Sequence, residues 1–425
     1  MHISEWNLTL LSDMFKKYLY ILCALIAASC SDIESPEPVA VAIEVRMPAD
    51  LAGLQLDNPT ITFNNLSNSG VTSFAYTPGM QCSVLPGLYD VQFDAESTTA
   101  AGVKAHVGAI APACKLLSAG SINLDAYVAV QSNDLIIKEI FYTGTLQSSG
   151  NSYNGDQYIK LYNNTDHIIY ADGLALFESL FLTTQKFNYT PDKLSTHVSI
   201  DAIYLIPGSG KDYPVEPGQT ILIADAAIDH RAINPNSFNL SGADFEWFDD
   251  STDPKYTDLD NPAVPNLDKW YCYTNTIFLL HNRGFKAYGL ARIPQDRDTF
   301  LKEHFYTVDY DQVTVAGSFP MSKNGYLLPN EWIVDIVNLS VEAVYQWNVC
   351  LPAMDAGWSY CGTIDNDKTR FFHSVRRRVD AVEADGIEHL RDTNNSTLDF
   401  IPEAIPSEIE EQGTAIDYEG NLYRP

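Results

Sequence analysis

Hydrophobic and polar residues alternate along much of this chain with the two-residue period of half-buried strands. From Val39 to Met47, Val39, Val41, Ile43, Val45 and Met47 fall on one side, and Ala40, Ala42, Glu44 and Arg46 on the other. Thr60-Ile-Thr-Phe63 and Leu88 to Phe93 repeat the pattern, separated by turn residues at Asn68-Ser-Gly70 and Pro78-Gly79. This spacing predicts a first β-sandwich over residues 39–130. Asp134 to Tyr142 is more continuously apolar and predicts a largely buried strand. After a loop with Gly144, Gly150 and Gly155 comes Gln157-Tyr-Ile-Lys-Leu-Tyr162. Here Ile159 and Leu161 share one side while Tyr158, Lys160 and Tyr162 share the other, which predicts a strand buried on one face. Asn163 to Asp166 reads as a turn, and Asp172 to Phe177 as the next strand.

Farther on, strand-like pieces stand at 200–206, 220–224, 275–280, 332–337 and 341–347, with long polar loops between them. Asp225 to His230 predicts a short helix capped by Asp225. No fixed repeat is present, which argues against a solenoid or propeller. The pattern as a whole predicts an all-β protein of two β-sandwich domains, the second spanning 133–400 with insertions over about 178–345, followed by a C-terminal extension at 401–425. Twenty-four Tyr and nineteen Phe suit such strands.

The first 29 residues read as a signal peptide, with Met14-Phe-Lys-Lys17 ahead of an apolar run from Tyr18 to Ala28. Ala27-Ala-Ser-Cys30 matches a lipoprotein signal box, so Cys30 is the expected lipidation site and acyl chains the expected membrane anchor. Residues 30–38 form the tether. Within it, Ser31-Asp-Ile-Glu34 resembles the acidic export tag of Bacteroidetes lipoproteins, which implies an outer-membrane, surface-facing address. A periplasm-facing address is the alternative.

Charge sharpens the list of partners. The formal net charge is −29, and the signal peptide carries two acids and two lysines, so its removal changes nothing. Such a field repels phosphate backbones and excludes non-specific nucleic-acid binding. Five cysteines remain after Cys23 and Cys30, in a compartment that permits disulfides. Cys82 with Cys114 and Cys350 with Cys361 are the economical pairings, leaving Cys272 as a buried thiol, although spacing alone does not fix connectivity.

The order "xIxEIFY, gap, YIxLYNNTD, DGLAL" over residues 134–177 resembles the opening of a lamin-tail domain, a small immunoglobulin-like sandwich. Ser374 to Val379 and Asp392 to Phe400 resemble its closing portion. Leu85-Pro-Gly-Leu-Tyr-Asp-Val91 is similar to the "PGxYxV" strand start of prealbumin-like modules such as Cna-B domains, which serve as spacers. The whole chain resembles a Bacteroidetes lipoprotein family of unknown function. That resemblance implies association with a TonB-dependent transporter or another envelope protein, and capture of a glycan or other nutrient.

The densest mixture of acids and aromatics lies between Asp244 and Tyr273. Trp247, Asp249, Asp250, Asp253, Tyr256, Trp270 and Tyr271 are the candidate ligand-binding residues. Carboxylates there would accept hydrogen bonds from sugar hydroxyls or hold calcium, and flat rings would stack. The alternative is a solvated loop whose aromatics tuck into the core. His230 beside Asp229 is a weak metal candidate and more simply a polar histidine. Gly208-Ser-Gly-Lys-Asp212 lacks the spacing of a phosphate loop, and HExxH and GxSxG do not occur. Arg376-Arg-Arg378 reads as charge balance beside Asp380 and Glu383. The expected function is therefore a non-catalytic binding module. A structural or adhesive module is the second reading, and a hydrolase hidden in the insertions the third.

Overall fold

The computed structural model describes residues 36–47, 55–68, 70–98, 104–130, 132–315, 317–413, 415–416 and 422–423. The expected signal peptide, the expected lipidation site Cys30 and most of the expected tether lie outside the described residues. By contacts the described residues divide into two compact units, one holding those to Val45, Ile61–Gln92 and Ala111–Leu124, the other holding the remaining described residues. The protein is mainly β, with several sheets.

In the first unit Val39–Arg46 lies between Gln81–Val84 and Gly120–Asp125. The alternation read from the sequence operates here. Val41 and Ile43 are buried together with Ile61, Phe63, Cys82, Val84 and Val91. Phe63 meets Phe74 and Tyr89 edge-on, each at 5.9 Å, and Tyr89 donates its hydroxyl to the Leu85 carbonyl at 2.8 Å. The Pro-Gly turn before Tyr89 is thus closed by the aromatic that anchors the core.

The second unit contains two large sheets. One has the order Phe245–Glu246, Thr220–Ala224, Tyr158–Tyr162, Ile136–Phe141, Ser374–Arg377, Phe400–Ala404. The strand that opens this region therefore pairs directly with one near its end, Val375 opposite Ile140 and Arg376 opposite Glu139. The other sheet has the order Phe305–Thr314, Gly317–Pro329, His197–Leu205, Leu174–Ser179, Ala287–Arg292, Ile333–Asn338, and Asp268–Cys272 also pairs with His197–Leu205. Ile137, Ile159, Leu161 and Ile223 from the first meet Leu174, Leu176, Tyr204 and Leu290 from the second in one core. Two sheets packed through an apolar layer make a sandwich.

Both sheets are covered on their outer faces as well. Phe141, Tyr158 and Ala224 are covered by Phe238, Leu240 and Ile409. Ala175, Phe177 and Ile203 are covered by Phe300, Trp347, Val349 and Cys350. Tyr158–Tyr162 is consequently buried at every position, not on one face only. Its Lys160 is accommodated by an ion pair with Glu408 at 2.7 Å.

Other sequence expectations shift locally. The helix expected from Asp225 is instead a single 3-10 turn, His230–Ala232, capped by Asp229. The expected strand at 275–280 is irregular, because Phe278 N–H donates to Asp249 and Leu280 N–H to Gln157. Side chains there take the place of a ladder. Residues 341–347 likewise form no strand.

All five described cysteines are free thiols, so neither proposed disulfide exists in this structure. Cys350 sits on the outer face of the larger sheet and Cys361 in the core between the sheets, so different packed layers hold the two. Cys82 points into the first unit's core, while the Cys114 thiol donates to the Ala111 carbonyl at 3.4 Å. Burial pushes the Cys361 thiol up to about 12, keeping it protonated and unreactive.

Candidate ligand-binding cleft

The structure separates the seven expected ligand residues into three places. Trp247 is fully buried in the core between the sheets, edge-on to Phe278. Asp249 is buried beside it and takes hydrogen bonds from Tyr204 Oη, Phe278 N and Lys269 Nζ. Its lone pairs are therefore used internally. Asp250, Asp253 and Tyr256 occupy an irregular loop, where Asp253 accepts the Lys255 amide in a turn. Trp270 and Tyr271 belong to Asp268–Cys272 and pack their rings against Phe300 and Tyr326. Trp247 and Asp249 are thus consumed by the core, and Trp270 and Tyr271 pack against other rings, while Tyr256 is exposed. Among the described residues, no group of three or more His, Cys, Asp or Glu is placed to hold a metal ion.

The other polar candidates are also self-satisfied. His230 is buried, its Nε2 donating to the Ala226 carbonyl and its Nδ1 accepting from Tyr153 Oη, both at 2.8 Å. Burial pulls it down to about 4, so it stays neutral with both ring nitrogens engaged. The amides of Gly210, Asp212 and Tyr213 close on the Asp172 carboxylate at 2.8 to 2.9 Å, so the chain's own acid fills the loop that superficially suggests an anion site. Arg377 is buried against Asp335, Asp392 and Asp399, not paired with Asp380, which instead binds Arg391.

A groove of about 800 Å³ on the outer face of the smaller sheet carries Lys138, Lys160 and Arg376. Each cation is matched within the chain, by Glu388, Glu408 and Glu410 at 2.5 to 2.7 Å. It presents neutralised pairs, so little uncompensated charge remains for a ligand.

A second cleft has different chemistry. It measures about 240 Å³ and is lined by Phe181, Lys186, Phe187, Tyr189, His197 and Trp347, among others. Its floor is set by Trp347, whose Nε1 donates to the carbonyls of Leu182 and Gln185 at 2.9 and 3.0 Å. Those bonds fix the loop that follows the buried Leu174–Ser179 strand. Tyr189 stacks on Phe181 at 3.9 Å and lies parallel to Trp347 at 5.9 Å, while Phe187 stacks on Tyr310 at 4.8 Å. Thr190 exchanges both backbone hydrogen bonds with Asp309, at 2.8 and 2.9 Å, tying the cleft's lip to the Phe305–Thr314 strand.

The rings of Phe187, Tyr189 and Tyr310 are half-buried, and Lys186, Asn188, Asp192 and Lys193 around them are exposed. Lys186 Nζ stands 5.4 Å over the Trp347 ring. Flat apolar faces edged by donors and acceptors suit a ligand with one apolar face and many hydroxyls. The cleft is small, enough for about one or two rings.

The sequence gives little sign of this site. Phe187 and Tyr189 lie two apart in a polar loop, and their partners Tyr310 and Trp347 are more than a hundred residues away. The signal that could have found it is that pair of aromatics directly after a continuously buried strand, in a stretch that otherwise reads as loop.

The fold is an all-β sandwich, and comparison with known proteins finds a family and a solved structure similar to this chain. Residues 216–407 match the family described as "Protein of unknown function (DUF4876)". The chain is also similar to the crystal structure of a DUF4876 family protein from Bacteroides thetaiotaomicron VPI-5482, solved at 2.50 Å, with a TM-score of 0.53 and 19% identity. The alignment covers 91% of this chain and 98% of that one, and the likeness concerns the fold. No curated protein matches the chain.

Proposed function

We propose that this chain is a non-catalytic ligand-binding module of a Bacteroidetes cell envelope, moored to the outer membrane by acylated Cys30. The cleft at Phe187, Tyr189 and Trp347 is its binding site, and a neutral or weakly anionic glycan its ligand. The observation that carries this reading is the set of half-buried aromatic rings edged by exposed polar side chains. In this reading residues 39–130 are a prealbumin-like spacer, and residues 133–400 an enlarged lamin-tail-like sandwich that offers the cleft to ligand. Similarity to a Bacteroides protein and the lipoprotein signal box support the address, and transfer to a TonB-dependent transporter is the expected next step.

A hydrolase is the weaker reading. Burial raises Asp156 to about 7 and Asp225 well above its ordinary value, but they are only 0% and 3% exposed, so substrate does not reach them.

The test uses Bacteroides cells expressing the chain and a panel of fluorescent oligosaccharides. Wild-type cells should retain at least one of them, and Tyr189→Ala with Phe187→Ala should weaken retention about tenfold or more, given that a lost stacking platform costs on the order of 1–3 kcal/mol. Cys30→Ala should release the protein to the soluble fraction with its glycan binding intact. Absence of binding by any oligosaccharide, or binding indifferent to both ring truncations, would overturn the proposal.

A further inference from the structure

The Phe305–Thr314 and Gly317–Pro329 strands form one long hairpin, in register from Phe305 opposite Tyr326 to Thr314 opposite Gly317. Gly317 through Asn324 are exposed at every position, so the distal half of the hairpin is uncovered. Four of its large side chains are apolar nonetheless: Val313 is 75% exposed, Val315 112%, Phe319 47% and Met321 39%. From Gln312 to Ser322 there is no charged residue, in a chain where 19% of residues are charged. A bare two-stranded ribbon is marginal in water, and exposed apolar groups of this kind mark a surface that is covered in use.

We propose that this tip immerses in the interfacial layer of a lipid bilayer. Three features select a bilayer over another protein surface. The first is that the register puts Phe319 and Met321 on one face with Tyr310, and Val313 on the opposite face. Apolar groups on both faces suit immersion, whereas a flat protein partner would cover one. Next, the polar boundary is sharp, because Asp309 and Asp311 on one strand and Lys323 on the other flank the uncharged segment. At roughly 3.3 Å per residue the segment beyond them reaches about 10 Å, the depth to which interfacial elements sink. Tyr310 stands just behind it, the kind of residue favoured at a membrane–water boundary. Finally, a net charge of −29 opposes close approach of a second copy, while an uncharged tip meets no such barrier at a zwitterionic surface.

This inference is independent of the glycan reading. The test is hydrogen exchange on the full-length chain with and without phosphatidylcholine vesicles. Amides from Gln312 to Met321 should slow about tenfold or more when vesicles are added. Val313→Asp with Phe319→Asp should abolish the slowing, and the milder Val313→Ser with Phe319→Ser should reduce it, while exchange in Tyr158–Tyr162 stays unchanged and reports an intact fold. No slowing with vesicles, or slowing that survives the aspartate pair, overturns the proposal. Slowing that grows with protein concentration in the absence of lipid also overturns it, in favour of a second copy.

Discussion

Replacing Arg377 with Met should destabilise the second unit by an amount that depends strongly on pH. The guanidinium is 3% exposed and lies 2.7 Å from Asp335, 3.1 Å from Asp392 and 3.6 Å from Asp399. It also donates to the carbonyls of Ile137 and Arg391, and sits 4.7 Å over the Phe400 ring. One side chain thus fastens the Ser374–Arg377 strand to segments from four other parts of the chain. Burial alone would lower its affinity for a proton, but the three carboxylates more than compensate and hold it cationic. Methionine fills similar volume and leaves those acids buried without a cation. Breaking a buried pair in this way costs about 3–5 kcal/mol, a large share of a typical unfolding free energy of roughly 5–15 kcal/mol.

The acids respond by taking up protons. Burial already pushes Asp399 up to about 7, with Arg377 opposing, and Asp335 is also raised by burial. Without the arginine both rise further; Asp399 already keeps its proton up to about pH 7 in the wild type, so the additional proton that the folded variant keeps, and the unfolded chain loses above pH ~4, is that of Asp335. A raised folded pKa contributes stability below the unfolded pKa and loses it as pH climbs toward the folded one. Each additional retained proton adds about 1.4 kcal/mol of loss per pH unit. Urea unfolding followed by tryptophan fluorescence should therefore find the variant about 3–5 kcal/mol less stable than wild type at pH ~7.5, with roughly 2–3 kcal/mol of that recovered at pH ~5. A deficit equal at both pH values, or below about 1 kcal/mol at the higher one, would refute the account of Arg377 as the cluster's neutralising centre.

Two further outcomes follow from buried groups elsewhere. Asp156 is fully buried and pushed up to about 7 by desolvation, its hydrogen bonds from Ser237 and Thr145 opposing. Wild-type thermal stability should fall as pH rises from about 4 toward 7, and Asp156→Asn should remove up to ~1.4 kcal/mol per pH unit of that slope; melts in which both proteins keep the same slope would refute it. The five described cysteines should all be alkylated by iodoacetamide after denaturation without reductant, as read by intact mass, and a thiol that needs prior reduction would contradict their free state.

Particular residues mark how far the sequence could be read. The strand starting at Ile136, the Asn163–Asp166 turn and the alternation around Val41 follow from periodicity and turn chemistry, which act over a few residues. Tyr158 and Tyr162 could not be placed correctly in the same way, because the Phe238, Leu240 and Ile409 that cover Tyr158 arrive from segments 80 and 251 residues beyond it. The candidate site was the least legible part. The Asp244–Tyr273 stretch drew attention by density of acids and rings, but Trp247 and Asp249 are consumed by the core. Phe187 and Tyr189 acquire their stacking partners only through the hairpin at Tyr310 and the loop at Trp347.

By itself, the amino-acid order determined the β character of the chain, the position of its main strands and its strongly acidic surface, since each depends on neighbours along the backbone or on simple sums. Tertiary structure alone decided which faces were sealed, which carboxylates met a cation, and which rings were left half-open to solvent. Those outcomes depend on long-range packing, where one residue's environment is supplied by segments that local periodicity does not encode.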